Sequence, residues 1–181
     1  MFKDIDLRWL WVLAVMLLVL LPAKCEAKDT FYGMGIFGGE QWQQGLGHVD
    51  KTYNWQEFQV RPMVGKHLTD RWDLWLEGNL GYIKWNDGAH GTFLGTLVMT
   101  DYDIIKYKEY RFFTEMGVGL GWTNYTPGNH ILGNGVLGLV DLGMGIQYKN
   151  IRVGPRFEHK SSMSTNDHGL NTYGLMIMIR R

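Results

Sequence analysis

The chain has one cysteine, Cys25, close to its N-terminus. Beyond that point no disulfide can form and no thiol can act as nucleophile. Proline is scarce, at four positions, so no proline-rich linker breaks the chain. No charge of one sign dominates: 18 Lys and Arg face 18 Asp and Glu. Nothing in that balance suggests nucleic acid as a partner. Helical periodicity is also missing after Ala27, and the one long apolar run is Trp9 to Leu21. As a helix rising ~1.5 Å per residue it spans about 20 Å, short of the ~30 Å hydrocarbon core.

That run, with Lys3 and Arg8 before it and Pro22 after it, reads as a removable signal peptide rather than an anchor. Cys25-Glu26-Ala27 places small residues at −3 and −1, so the expected cut follows Ala27. Acylation of Cys25 as a lipoprotein is the rival reading, and Lys24 beside it argues against that. The expected organisation is residues 1–27 as signal peptide and residues 28–181 as one β-barrel domain.

What the chain does have is alternation. Trp72, Leu74, Leu76, Leu80 and Tyr82 alternate with Asp73, Glu77, Asn79 and Gly81. Phe112, Met116, Val118, Leu120 and Trp122 alternate with Arg111, Glu115, Gly117 and Gly119. Val140, Leu142, Met144 and Ile146 alternate with Asp141, Gly143 and Gly145. Period two means strands with one apolar face and one face of charges and glycines. A soluble sandwich or barrel gives the same letters with the apolar face inside. Three features favour the inverted arrangement: the signal peptide, the glycines on the charged face, and aromatic strand ends. Trp42, Trp55, Trp72, Trp75, Trp85 and Trp122 lie mostly near strand ends, where interfacial belts sit. Arg111, Glu115, Asp141 and Arg156 then fill a narrow lumen as a charge network.

Eight strands are expected: 30–39, 53–66, 70–85, 91–103, 108–122, 134–148, 150–160 and 170–180. Short connections alternate with longer ones rich in turn formers, as in bacterial outer-membrane barrels. The fold class is therefore all-β, an eight-stranded antiparallel transmembrane outer-membrane barrel. The N-terminus and short turns face the periplasm. The end of the chain, Thr172-Tyr-Gly174-Leu-Met-Ile177-Met-Ile179, resembles the C-terminal assembly signal of such barrels but finishes on Arg180-Arg181 instead of an aromatic.

Strand seven interrupts its own pattern. Ile151, Val153, Pro155 and Phe157 share parity with His159 and Ser161, so an imidazole and a hydroxyl fall on the lipid-facing stripe. Polar groups there are costly unless they lie near the interface or bond one another. Asn171 opens strand eight with the parity of Tyr173, Leu175, Ile177 and Ile179. A serine becomes a nucleophile when a neighbouring histidine takes its proton, and an acceptor on the second ring nitrogen fixes the tautomer. By spacing alone His-x-Ser is a weak signal, and a polar strand end entering a loop is the plainer account. His48, His67, His90, His130 and His168 are scattered without ligand spacing, and Gly117-Val-Gly119-Leu-Gly121 has no helix after it.

Phe157-Glu-His159-Lys-Ser161-Ser162, a short polar loop and Asn166-Asp-His-Gly169-Leu-Asn171 resemble the C-terminal signature of the lipid A 3-O-deacylase family (PagL-type). The motif covers about fifteen residues, and the rest agrees in architecture. The resemblance implies an outer-membrane serine esterase that removes the ester-linked 3-O-acyl chain of lipid A. By position it implies Ser161 as nucleophile and His159 as base. Asn171 stands where the family has a glutamate and is the expected third member, able to orient the imidazole but not to offset its charge; Asp167 in the loop is the alternative. Ser162 stands where the family has an oxyanion asparagine. No cofactor or metal is implied. The expected partners are lipid A (lipopolysaccharide) in the outer membrane of a Gram-negative cell and, as an open option, a second copy of the chain. A non-enzymatic structural barrel and a lipid A acyltransferase are the rival functions.

Overall fold

The computed structural model describes residues 30–41, 55–86, 88, 90–125, 135–162 and 170–181. The expected signal peptide and cleavage site lie outside these residues, as do Trp42, His48, His130, Asp167 and His168. Eight strands follow in order: β1 Thr30–Gln41, β2 Trp55–His67, β3 Trp72–Trp85, β4 His90–Tyr107, β5 Tyr110–Tyr125, β6 Gly135–Tyr148, β7 Ile151–Ser162 and β8 Leu170–Arg180. Each pairs antiparallel with its neighbour, and β1 pairs with β8, so the sheet closes without an edge.

The strand bounds differ most from the sequence expectation at β4. That strand runs on to Tyr107 through a register shift between Asp103 and Ile105. A bulge lets one extra residue fit without ending the ladder. Lys108 and Lys149 open the two tight turns with φ of 54° and 52°.

Alternation sorts the side chains as a membrane barrel requires. Outward positions of β8, Tyr173, Leu175, Ile177 and Ile179, are exposed. Inward positions are sealed. Arg61 donates to Glu77 at 2.8 Å, Asp141 at 2.6 Å and Glu158 at 2.6 Å. Arg156 pairs with Glu77 and Glu115, each at 2.6 Å. Lys160 reaches Glu57 at 2.7 Å and also pairs with Glu158. Glu115, Asp141 and Arg156 thus belong to the expected lumen network. Arg111 sits instead near the short-turn end, half-exposed, 3.2 Å from Asp103. The inward glycines leave room for these chains: a Cβ on Gly143 would lie 2.7 Å from Glu115 Oε1.

The tryptophan reading needs correction. Trp55, Trp75 and Trp85 are buried, and only Trp72 and Trp122 of the described set face out. Their odd positions share parity with the lumen residues of β2 and β3, which overrides their place near strand ends. At the short-turn end Trp72 is joined by the exposed Tyr32, Tyr107, Tyr110 and Tyr148. The departure at the C-terminus has an explanation too. Arg180 turns inward, reaches Asp73 at 2.5 Å and covers the Phe31 ring at 3.7 Å.

Candidate active site on the outer wall

β7 starts at a two-residue turn after Tyr148 and ends at the longer connection before Leu170. Its last residues part strictly by parity. Glu158 and Lys160 go into the lumen, while His159 and Ser161 stay on the wall. In β8 the residue directly opposite His159 is Asn171. Register therefore joins residues twelve apart in sequence.

His159 Nδ1 lies 2.7 Å from Asn171 Oδ1, and Nε2 lies 2.7 Å from Ser161 Oγ. The amide oxygen can only accept, so Nδ1 carries the proton and donates it. Nε2 is then left with its lone pair toward Ser161, whose O–H donates. The three side chains form one polar chain on an apolar wall, each satisfying its neighbour, which is how polar groups persist there. Asn171 is 6% exposed although Tyr173, two residues on with the same parity, is 50% exposed. Cover of that kind shields the orienting hydrogen bond from competing water.

Sequence reasoning singled out His159, Ser161 and Asn171, and the structure brings all three together. Ser162 ends β7 opposite Leu137, but its side chain lies outside what is described, as does all of Asp167. His67 is far away, 2.6 Å from Asp73 at the short-turn end, and His90 is exposed at the start of β4. Glu158 is fully buried in the lumen. One feature escaped the sequence reading: Gly138, the β6 residue opposite Ser161. A Cβ built there meets nothing closer than the Ser161 carbonyl oxygen at 4.0 Å. Its signal was a glycine on the lipid-facing parity of β6.

A closed eight-stranded antiparallel barrel with an apolar exterior and a charged interior is built as outer-membrane barrels are. The comparisons carry this further. The family model for lipid A 3-O-deacylase (PagL) matches residues 39–180. The chain belongs to that family: it is a lipid A 3-O-deacylase of the outer membrane. Among solved structures, the outer membrane enzyme PagL superposes with a TM-score of 0.61 at 20% identity, over 81% of this chain and 98% of that one. Neisserial surface protein A does so with 0.56 at 13%, over 83% and 95%. At these identities the likeness establishes the fold. No curated protein sequence matches the chain.

Proposed function

We propose that the deacylase works as a serine esterase with Ser161 as nucleophile, His159 as general base and Asn171 as the residue that orients the imidazole. The observation that carries this reading is the pair of 2.7 Å hydrogen bonds through His159. Ser161 Oγ attacks the carbonyl carbon of the 3-O ester while its proton passes to Nε2. The tetrahedral adduct collapses, the C–O bond to the sugar breaks, and Nε2 returns the proton to the departing sugar oxygen. An acyl group is left on Ser161. Water, deprotonated by the same nitrogen, attacks that ester and releases the fatty acid.

Asn171 holds the tautomer but brings no charge to offset the imidazolium, so this site gives up part of what a carboxylate supplies. Ser162 is the proposed hydroxyl donor to the oxyanion; one such donor is typically worth ~10²–10³ in rate. Residues 1–27 are proposed as the export signal.

The test is mass spectrometry of lipid A from cells with and without the protein. Loss of one 3-hydroxyacyl unit is expected with the parent chain, and an unchanged profile with Ser161→Ala that still shows the heat-modifiable mobility of a folded barrel. Deacylation by folded Ser161→Ala would overturn the nucleophile assignment. Gain of an acyl chain would point to transfer instead.

A further inference from the structure

A second feature lies on the same wall, beside the site. A groove of ≈ 780 Å³ is lined by residues of β1, β2, β3 and β8 toward their loop-bearing ends, with Pro155 of β7. Its size falls within the range of small-molecule pockets, roughly 300–1,000 Å³. The ladder arranges its outward side chains in two rows. The row nearer the loops is polar after its first member: Tyr173 pairs with Glu40, Glu40 with Gln56, and Gln56 with Lys84. The deeper row is apolar: Leu175 pairs with Gly38, Gly38 with Phe58, and Phe58 with Tyr82.

Gly38 makes the groove. It occupies an outward position of β1 between Leu175 and Phe58, where the neighbouring outward residue Ile36 carries a full side chain. A Cβ added at Gly38 would meet nothing within 4 Å. The backbone is therefore not crowded here, as it is at inward Gly39, where a Cβ would lie 2.7 Å from Thr172. The missing side chain leaves a slot in a wall of large apolar groups. The groove neighbours the site through one of its lining residues, Tyr173 of β8. Tyr173 is the next outward residue after Asn171, a step of roughly 7 Å along the strand.

Polar above and apolar below, at the same height as a site for lipid A, is the profile of a glycolipid rather than of a bare hydrocarbon tail. Lipid A carries several acyl chains on one phosphorylated sugar head. We propose that the Gly38 slot holds a non-scissile acyl chain of the lipid A molecule whose 3-O ester lies at Ser161. Lys84 meets the phosphorylated head, and Gln56 and Glu40 meet sugar hydroxyls. The groove then fixes the register of the substrate along the barrel, which selects the ester presented to Ser161. This rests on the serine-esterase reading of the neighbouring site.

The probe is purified lipid A in detergent micelles, and the variant is Gly38→Phe, which fills the slot without striking the backbone. Binding is measured in the Ser161→Ala background, so it does not depend on turnover. Affinity for lipid A is expected to fall ~10-fold or more through lost apolar contact, with phosphatidylethanolamine binding unchanged. In the parent background, kcat/KM is expected to fall more on lipid A than on a short soluble ester. Equal lipid A binding by Gly38→Phe would overturn the proposal, and so would an equal fall for phosphatidylethanolamine, which would make the slot a general lipid contact. Gly38→Ala, which takes up less of the slot, should lose less affinity than Gly38→Phe, and an equal or larger loss would overturn the proposal. If binding follows these expectations but Ser161→Ala still turns over, the groove stands and the nucleophile assignment fails.

Discussion

His159 and Lys160 are adjacent in sequence and belong to two different chemistries. Lys160 points into a lumen where cations and carboxylates meet in a dense, water-poor array, with Arg61, Glu77, Asp141 and Glu158 all at zero side-chain exposure. His159 points to a wall of Leu, Ile, Val and Tyr, where the polar chain it forms is a local exception. Inside, each charge is multiply held and serves to fill space. Outside, each ring nitrogen of His159 has one directional partner, and one end of the polar chain is a hydroxyl on the outer wall. Polar residues in the lumen thus fill and brace the barrel, and the polar residues on the wall are the ones proposed to carry the chemistry.

The comparison can be broken most severely on the wall. His159→Ala is expected to lower deacylation ~10³-fold or more, because Ser161 loses its base. It should leave urea unfolding of the barrel nearly unchanged; a large loss of stability would place His159 with the structural residues instead. The lumen should behave in the opposite way. Arg61→Met takes one of the cationic partners from each of Glu77, Asp141 and Glu158 in the interior, with an expected cost of about 3–5 kcal/mol in unfolding free energy. The fraction that folds should keep the parent's activity.

The same parity argument explains how much was legible from sequence. Period two separated Glu158 and Lys160 from His159 and Ser161 without any coordinates, because strand side chains alternate strictly. Strand count and closure followed from that pattern with the alternation of connection lengths. What escaped depends on register between distant strands. Nothing local says that Gly38 of β1 lies between Leu175 of β8 and Phe58 of β2, or that Gly138 faces Ser161. The tryptophans misled because position near a strand end was given more weight than parity. Asp167 and the Ser162 side chain lie where the structure describes nothing, so their roles rest on resemblance.

Smaller perturbations sharpen the contrast. Asn171→Ala frees the imidazole to rotate, and a loss of ~10²-fold in kcat is expected from misplacement alone. Asn171→Asp keeps an acceptor in place and adds charge for the imidazolium, so it should match or exceed the parent. A rate below that of Asn171→Ala would deny the orienting role. Gly138→Leu, beside Ser161, should reduce turnover of lipid A about tenfold by crowding the approach to the hydroxyl. A short soluble ester should suffer less. Equal losses on both substrates would mean that the strand had shifted rather than that access had narrowed.

The most direct measurement is covalent capture of the hydroxyl. Treating the folded barrel with a fluorophosphonate and mapping the adduct by peptide mass spectrometry should place a single phosphonyl group on Ser161, absent in His159→Ala. An adduct on another residue, or undiminished labelling of Ser161 without His159, would contradict an activated serine on the lipid-facing wall.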